Sequence, residues 1–402
     1  MGFKIYEEKG VPLEKQIMSW KEMVAEPISK MDDDAFSRVR IILMNGIELE
    51  SIKFSHSFAR MNSKYQLPLA LMRRVDHQQA TKINWLLGAD HSPLETTIAY
   101  EQVAIEITAA VAQNEPDPYL AQTYRFGLLE DFDHMYRYAA LMDRLEGKDA
   151  NNILQSYTDI LPGRPTIDEH RSPSDDLRHP YDKETAAPIS KMHALTIMAA
   201  EQQTWNYYMN IGPLFADPLA RQLYAEIASI EEQHVTQYES IIDTKETWME
   251  KMLLHKANEV YNYYGCVASE KNARLRAYWE RFLDYEFGQF HMVAELFKES
   301  ERRDPQEIIP TELPEPIDFA SQRQFVRDTL KNEVNMSALG KDFVDRSEES
   351  NETKMYRQQV HRDGVPSEIV SLNYIWTPGG ELNHRANFAK NYQKEFNRGA
   401  SL

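Results

Sequence analysis

The chain has 402 residues and a mass of 46.9 kDa, enough to bury a sizeable core and to form two or three domains. A formal net charge of −18 and a pI near 5.2 speak against nucleic acid or an anionic membrane as partner. The single cysteine, Cys266, excludes an intrachain disulfide and any four-cysteine metal site, so a metal bound here takes oxygen and nitrogen ligands. The opening "MGFKIYEEKG" lacks an apolar segment of signal-peptide length, and no eighteen apolar residues run together, so a cytoplasmic location without a membrane span is expected.

In chain order, residues 1–90 read as a mostly helical extension. "AFSRVRIILMNGIELESIKF" fits either a helix or a short strand turning at Asn45-Gly46, and 48–87 reads as helix interrupted near Pro68. Ser92, Pro93 and Glu95 form a helix start with cap, first-turn proline and capping box, and that helix runs to about Asn114. Asp117-Pro118 opens the next helix, ending near Gly147. Residues 148–187, rich in proline and charge, read as a long crossover. Helix resumes over 188–211, Asp217-Pro218 opens another to about Glu250, and one or two long helices fill 251–300. Prolines between 305 and 316 break the pattern. Helix is expected to return over about 318–345, and the tail past Asn351, with "TPGGELNH" and the basic-polar "RANFAKNYQKEFNRG", reads as irregular, wrapping the core or serving an oligomer contact. The three expected regions are 1–90, a helical bundle with extra helices over 91–300, and 301–402.

The segments 93–147 and 188–250 repeat each other at an offset of one hundred. Glu101 precedes His134 by 33 residues and Glu201 precedes His234 by 33. Asp117-Pro118 matches Asp217-Pro218, Tyr124 matches Tyr224, and Tyr138 matches Tyr238, without a gap. In an antiparallel helical pair, both helices rising about 1.5 Å per residue, Glu101 lies level with Asp131 and His134, and Glu201 with Glu231 and His234. Two such hairpins packed face to face bring four carboxylates and two imidazoles around one volume, the ligand inventory of a dinuclear metal centre. Left without cations, four buried carboxylates repel one another and take up protons.

A glutamate followed by Glu-x-x-His, twice over in a helical bundle, resembles the ferritin-like di-iron carboxylate superfamily, which includes rubrerythrin-type peroxidases, bacterioferritins, manganese catalases and di-iron oxygenases. Glu201 with "EEQH" at Glu231–His234 matches the motif, and Glu101 matches the first-helix glutamate; Asp131 in "DFDH" stands where the pattern has Glu. The shorter aspartate binds one metal terminally instead of bridging two, or stands behind the ligands. The resemblance covers about 93–250 and implies an all-α, ferritin-like four-helix bundle with additional helices and irregular ends. It also implies two metal ions, iron or manganese, held by Glu101, Asp131, His134, Glu201, Glu231 and His234.

Alternatives stand beside these. Glu106 is a rival to Glu101, and Glu130, four residues before His134, is a rival to Asp131; the repeat pairs Glu130 with Ile230, which turns it toward a neighbouring helix or solvent. Glu232 reads as exposed, and Glu286 or His291 as a further ligand or a supporting acid. Tyr124 and Tyr224 share roughly the ligand face and are the candidates for a phenol that donates to a ligand carboxylate or carries an electron. The function implied is redox chemistry on dioxygen or hydrogen peroxide, with a separate electron donor because one cysteine cannot hold a second redox centre, and a homodimer as the assembly. Oxygenation of an organic substrate and a non-catalytic helical scaffold are the other classes.

Overall fold

Helix starts are written into the local sequence, and the computed structural model, which describes residues 3–31 and 33–379, follows them. The Ser92 hydroxyl accepts the Glu95 N–H while the Glu95 carboxylate accepts the Ser92 N–H, and Thr247 and Glu250 repeat this capping box at a later helix. Asp117 and Asp217 cap their helices through side-chain carboxylates, each with proline in the first turn. Each such cap contributes about 1 kcal/mol.

Eight helices of 19–29 residues result: α1 (Ala35–Met61), α2 (Gln66–Asn84), α3 (Pro93–Asn114), α4 (Pro118–Glu146), α5 (Pro188–Ile211), α6 (Pro218–Ser240), α7 (Trp248–Ser269) and α8 (Ala273–Glu301). Short loops join them in consecutive pairs, so each pair is a hairpin. The α3–α4 hairpin packs on α5–α6, chiefly through α3 against α5, and forms an inner bundle. The α1–α2 hairpin packs on α7–α8 through α1 and α7, and forms an outer bundle from the first and last long helices. The two bundles meet where α1 and α7 lie on α5. The fold is all-α apart from one small hairpin, and among the described residues no helix is long and apolar enough to cross a membrane.

One open alternative resolves here to its helical reading, and three sequence expectations change. Asn45-Gly46 is no turn but mid-helix in α1: a Cβ on Gly46 would stand 2.6 Å from the Gln203 side chain and 3.0 Å from the Ala199 carbonyl, so the glycine lets α1 approach α5 closely. Residues 35–84 are not a separate extension, because they supply half of the outer bundle. The helix expected over 318–345 stops early: α9 (Arg323–Glu333) gives way to strands β1 (Met336–Leu339) and β2 (Asp342–Asp345), whose two-residue alternation around Gly340-Lys341 suits a hairpin and not a helix. The tail is helical at α10 (Asn351–Val360) and α11 (Pro366–Val370), and α11 packs on α6. The basic-polar segment at 385–399 lies outside the described residues.

Candidate metal centre

All six residues singled out by the repeat are fully buried and meet between the hairpins of the inner bundle. Asp131, Glu201, Glu231 and His234 present ligand atoms within 4.8 Å of one another, and so do Glu101, His134 and Glu231. Glu231 belongs to both groups. Asp131, like Glu201 and His234, belongs only to the first.

Both imidazoles turn Nδ1 to the centre. His134 Nδ1 is 3.0 Å from Glu231, and His234 Nδ1 is 3.3 Å from Asp131, 3.5 Å from Glu231 and 3.6 Å from Glu201. The other ring nitrogens point away and donate to buried carboxylates: His234 Nε2 to Glu130 at 2.8 Å and His134 Nε2 to Glu169 at 2.8 Å. A carboxylate on the far nitrogen fixes the tautomer and the ring and makes the near nitrogen a better ligand.

The two supporting acids come from different places. Glu130, one residue before Asp131 on α4, is buried and receives Arg171 and, at 3.1 Å, Arg164. The repeat has Ile230 at the matching position of α6, so His134 needs an acid from elsewhere, and the 148–187 crossover supplies it. Gly163 makes this docking feasible, since a Cβ there would stand 2.3 Å from the Leu129 carbonyl of α4. Asp133 then accepts the Gly163 and Thr166 N–H groups at 2.9 and 2.8 Å. From α6, the Gln233 amide donates to the Glu169 carbonyl at 2.9 Å and accepts the Arg171 N–H at 3.1 Å. Glu169, Arg164 and Arg171 were not singled out in the sequence; the only signal was the charge density of a segment without periodicity.

The remaining candidates fall elsewhere. Glu106 accepts from Thr158 and from the Gln322 N–H, both at 2.6 Å, outside the centre. Glu232 is exposed, and His291 lies 2.5 Å from the Glu8 carbonyl. Glu286 belongs to the outer bundle. Neither expected phenol reaches a ligand: the Tyr224 hydroxyl is 2.6 Å from Thr97 Oγ1, while Tyr124 stacks on Tyr238 with its hydroxyl unpartnered. The phenol that donates to a ligand is Tyr208 of α5, to Glu101. It has no tyrosine mate at position 108, where the chain has Thr, so the repeat concealed it.

Does this set fit a metal pair? Both oxygens of Asp131 and of Glu201, one each of Glu101 and Glu231, and Nδ1 of His234 are buried without a hydrogen-bond partner. Orphaned buried carboxylate oxygens are costly, and here they converge. Burial first, then Glu231 and Asp131, pushes the Glu101 carboxyl well above the usual range; burial and the Asp131 charge do the same to Glu201. Against the same burial, the His134 hydrogen bond and the nearby His134 and His234 rings hold Glu231 down at about 2. The site as built asks for positive charge. Nitrogen and carboxylate donors in two groups sharing one glutamate fit two first-row transition-metal ions. No known family, curated protein or solved structure matches this chain. Its function is therefore argued from the site alone.

Proposed function

We propose that the protein is a ferritin-like, dinuclear-metal redox protein that acts on dioxygen or hydrogen peroxide. The observation that carries this reading is the convergence of unpartnered carboxylate oxygens with two Nδ1 atoms, arranged as two groups that share Glu231. Glu231 would bridge; His134 and Glu101 would serve one ion, and His234, Asp131 and Glu201 the other. An iron pair is the first candidate, with manganese in one or both positions the other. Such a pair supplies one- and two-electron chemistry at coordination positions open to small oxygen species.

The protein's own groups do the rest. Glu130 and Glu169 hold the imidazoles in register. Asp131 and Glu201, without hydrogen-bond partners at both oxygens, would help hold the ions and balance their charge. Tyr208 holds a proton against Glu101. The only cysteine, Cys266, is buried away from this bundle in α7, so electrons for a reductive reaction come from a separate donor.

Elemental analysis of protein purified without a metal-affinity tag is expected to give about two transition-metal atoms per chain. A count near zero that anaerobic Fe(II) does not raise overturns the proposal and leaves the scaffold reading. With metal in place, peroxide loss without a donor marks disproportionation, and loss only with a donor marks a peroxidase. One observation favours oxygenation of an organic molecule as a second reading. A cleft of about 660 Å³ lies between the bundles, walled by Phe54, Trp248 and Leu254 on one side and by Leu195, Met198 and Gln202 of α5 on the other. Those three lie within two turns of Glu201 on its helix.

A further inference from the structure

The outer bundle carries at its centre a buried cluster that the proposed function does not use. Glu48 of α1, Asp76 and Gln79 of α2, Lys256 and Glu259 of α7, and Glu286 and Gln289 of α8 are all buried, and Glu48, Asp76 and Glu286 present oxygens within 4.8 Å of one another. Its layout follows that of the inner centre helix by helix. In the inner bundle a glutamate on the first helix precedes Asp131-x-x-His134 by 30 residues, and Glu201 precedes Glu231-x-x-His234 by 30. In the outer bundle Glu48 precedes Asp76-x-x-Gln79 by 28, and Glu259 precedes Glu286-x-x-Gln289 by 27. A tyrosine on the third helix donates to the first-helix glutamate in both: Tyr208 to Glu101, and Tyr263 to Glu48.

Two changes separate the centres. Each histidine is a glutamine in the outer bundle. Three residues before the third-helix glutamate the inner bundle has Met198, and the outer bundle has Lys256. The Lys256 ammonium lies 2.7 Å from Glu259, 3.2 Å from Glu286 and 3.3 Å from Asp76. The Gln79 amide donates to Glu48 at 2.8 Å and to Glu286 at 2.9 Å, and Gln289 donates to Glu286 at 3.4 Å. An amide N–H₂ pointed at carboxylates gives them hydrogen atoms where an imidazole Nδ1 would give a metal a lone pair.

We infer that the outer bundle is a second copy of the metal-bundle plan in which the Lys256 ammonium takes the place of the metal cations, so that the chain loads one metal pair and not two. Lys256 brings one fixed positive charge with three donors to the acids on all sides. That keeps the cluster assembled whatever the metal supply, and it shields half of the molecule, including the helices packed on α5, from metal loss. The same acids remain competent for metal once the ammonium is gone.

The inference rests on the chain's residues and is tested apart from activity. In a background with the inner centre disabled, Glu231→Ala with His234→Ala, Co(II) is titrated and bound cobalt per chain is read by elemental analysis and visible absorption. The expected result is no bound cobalt. Cobalt that this variant keeps and that a further Glu286→Ala releases overturns the inference. Adding Lys256→Met, Gln79→His and Gln289→His to the same background is expected to restore up to two Co(II) per chain. It should also make Tm respond to cobalt, lower without it by roughly 5–10 °C and recovered with it. Co(II) neither bound nor felt in Tm by this folded variant overturns the claim of a shared plan. Should it not fold with or without cobalt, the count in the first background decides alone. If wild-type protein binds no metal while the re-engineered outer bundle does, the proposed function fails with its metal pair, and the substitution of the Lys256 ammonium for cations in the outer bundle stands.

Discussion

The inner and outer bundles place nearly the same acids on the same helices and neutralise them differently. In the inner one, two imidazoles are aimed by Glu130 and Glu169, and oxygens of four carboxylates are left without partners. In the outer one, an ammonium and two amides bind the acids directly, although oxygens of Glu48, Asp76 and Glu259 also lack hydrogen-bond partners. On the proposed reading, the acid framework alone does not make a metal centre. What decides is the group standing beside it, whether a lone pair that needs a cation or a cation already covalently in place.

The comparison breaks most completely at Glu231, the one residue in both ligand groups. Glu231→Ala is expected to remove both metals and at least about a hundredfold of any redox activity, read by metal count and turnover, while folding without metal persists. Next in size is Arg171→Met. It strips Glu130 of a buried partner at a cost of about 3–5 kcal/mol. It also loosens His234, so metal affinity should fall about 10–100-fold even in the fraction that folds. Denaturant unfolding with and without metal separates the two effects. A variant that lost stability but bound metal unchanged would show that Glu130 anchors the crossover and does not aim the imidazole.

The sequence revealed the inner centre and concealed the outer one, and the reason is physical. Caps, first-turn prolines and a gapless offset of one hundred are local signals, and they placed α3–α6 and all six inner candidates. The outer bundle is assembled from hairpins separated by the whole inner bundle, from Asn84 to Trp248, and its spacings of 28 and 27 break the register. With glutamine in place of histidine, its acids read as ordinary helix charges, and Glu286 was weighed only as a further ligand or supporting acid for the inner cluster. Glu169 was hidden for another reason: it sits on a single turn, Thr166–Glu169, in a crossover whose path is set by Gly163, Asp133 and Gln233, none of which forms a periodic pattern. Adjacent acids Glu130 and Asp131 were divided by register and not by chemistry. That Glu130 would serve the histidine of the other hairpin needed the fold.

Each bundle also holds an acid away from its centre that is raised from 4.5 to about 7 by desolvation, the buried Glu106 in the inner and the half-buried Glu50 in the outer. A carboxyl with a raised folded pKa binds more protons folded than unfolded, so its contribution is complete below pH about 4.5 and is lost as pH rises through about 7. Glu106→Gln and Glu50→Gln are each expected to flatten that stretch of the stability–pH curve. Each should raise stability at pH 8 by on the order of 2 kcal/mol relative to the wild type, measured by urea unfolding. Equal gains would mean that the bundles differ only at their centres.

The finest comparison uses the two phenols. Tyr263→Phe takes a donor from Glu48, which has Gln79 as its other partner, and Tyr208→Phe takes the donor from Glu101, which has no second hydrogen bond. A hydrogen bond to a buried carboxylate is worth about 1.5–3 kcal/mol, and the loss at Tyr263 should be the same with or without added metal. At Tyr208 the loss should be similar in metal-free protein but shrink below about 1 kcal/mol once the centre is loaded, because a bound cation then satisfies Glu101. The difference between loaded and metal-free ΔΔG, measured for both variants, is thus a thermodynamic readout of which bundle holds the metal. Equal losses at Tyr208 in both states would place Glu101 outside the ligand set and leave His134 and Glu231 to hold their ion without it.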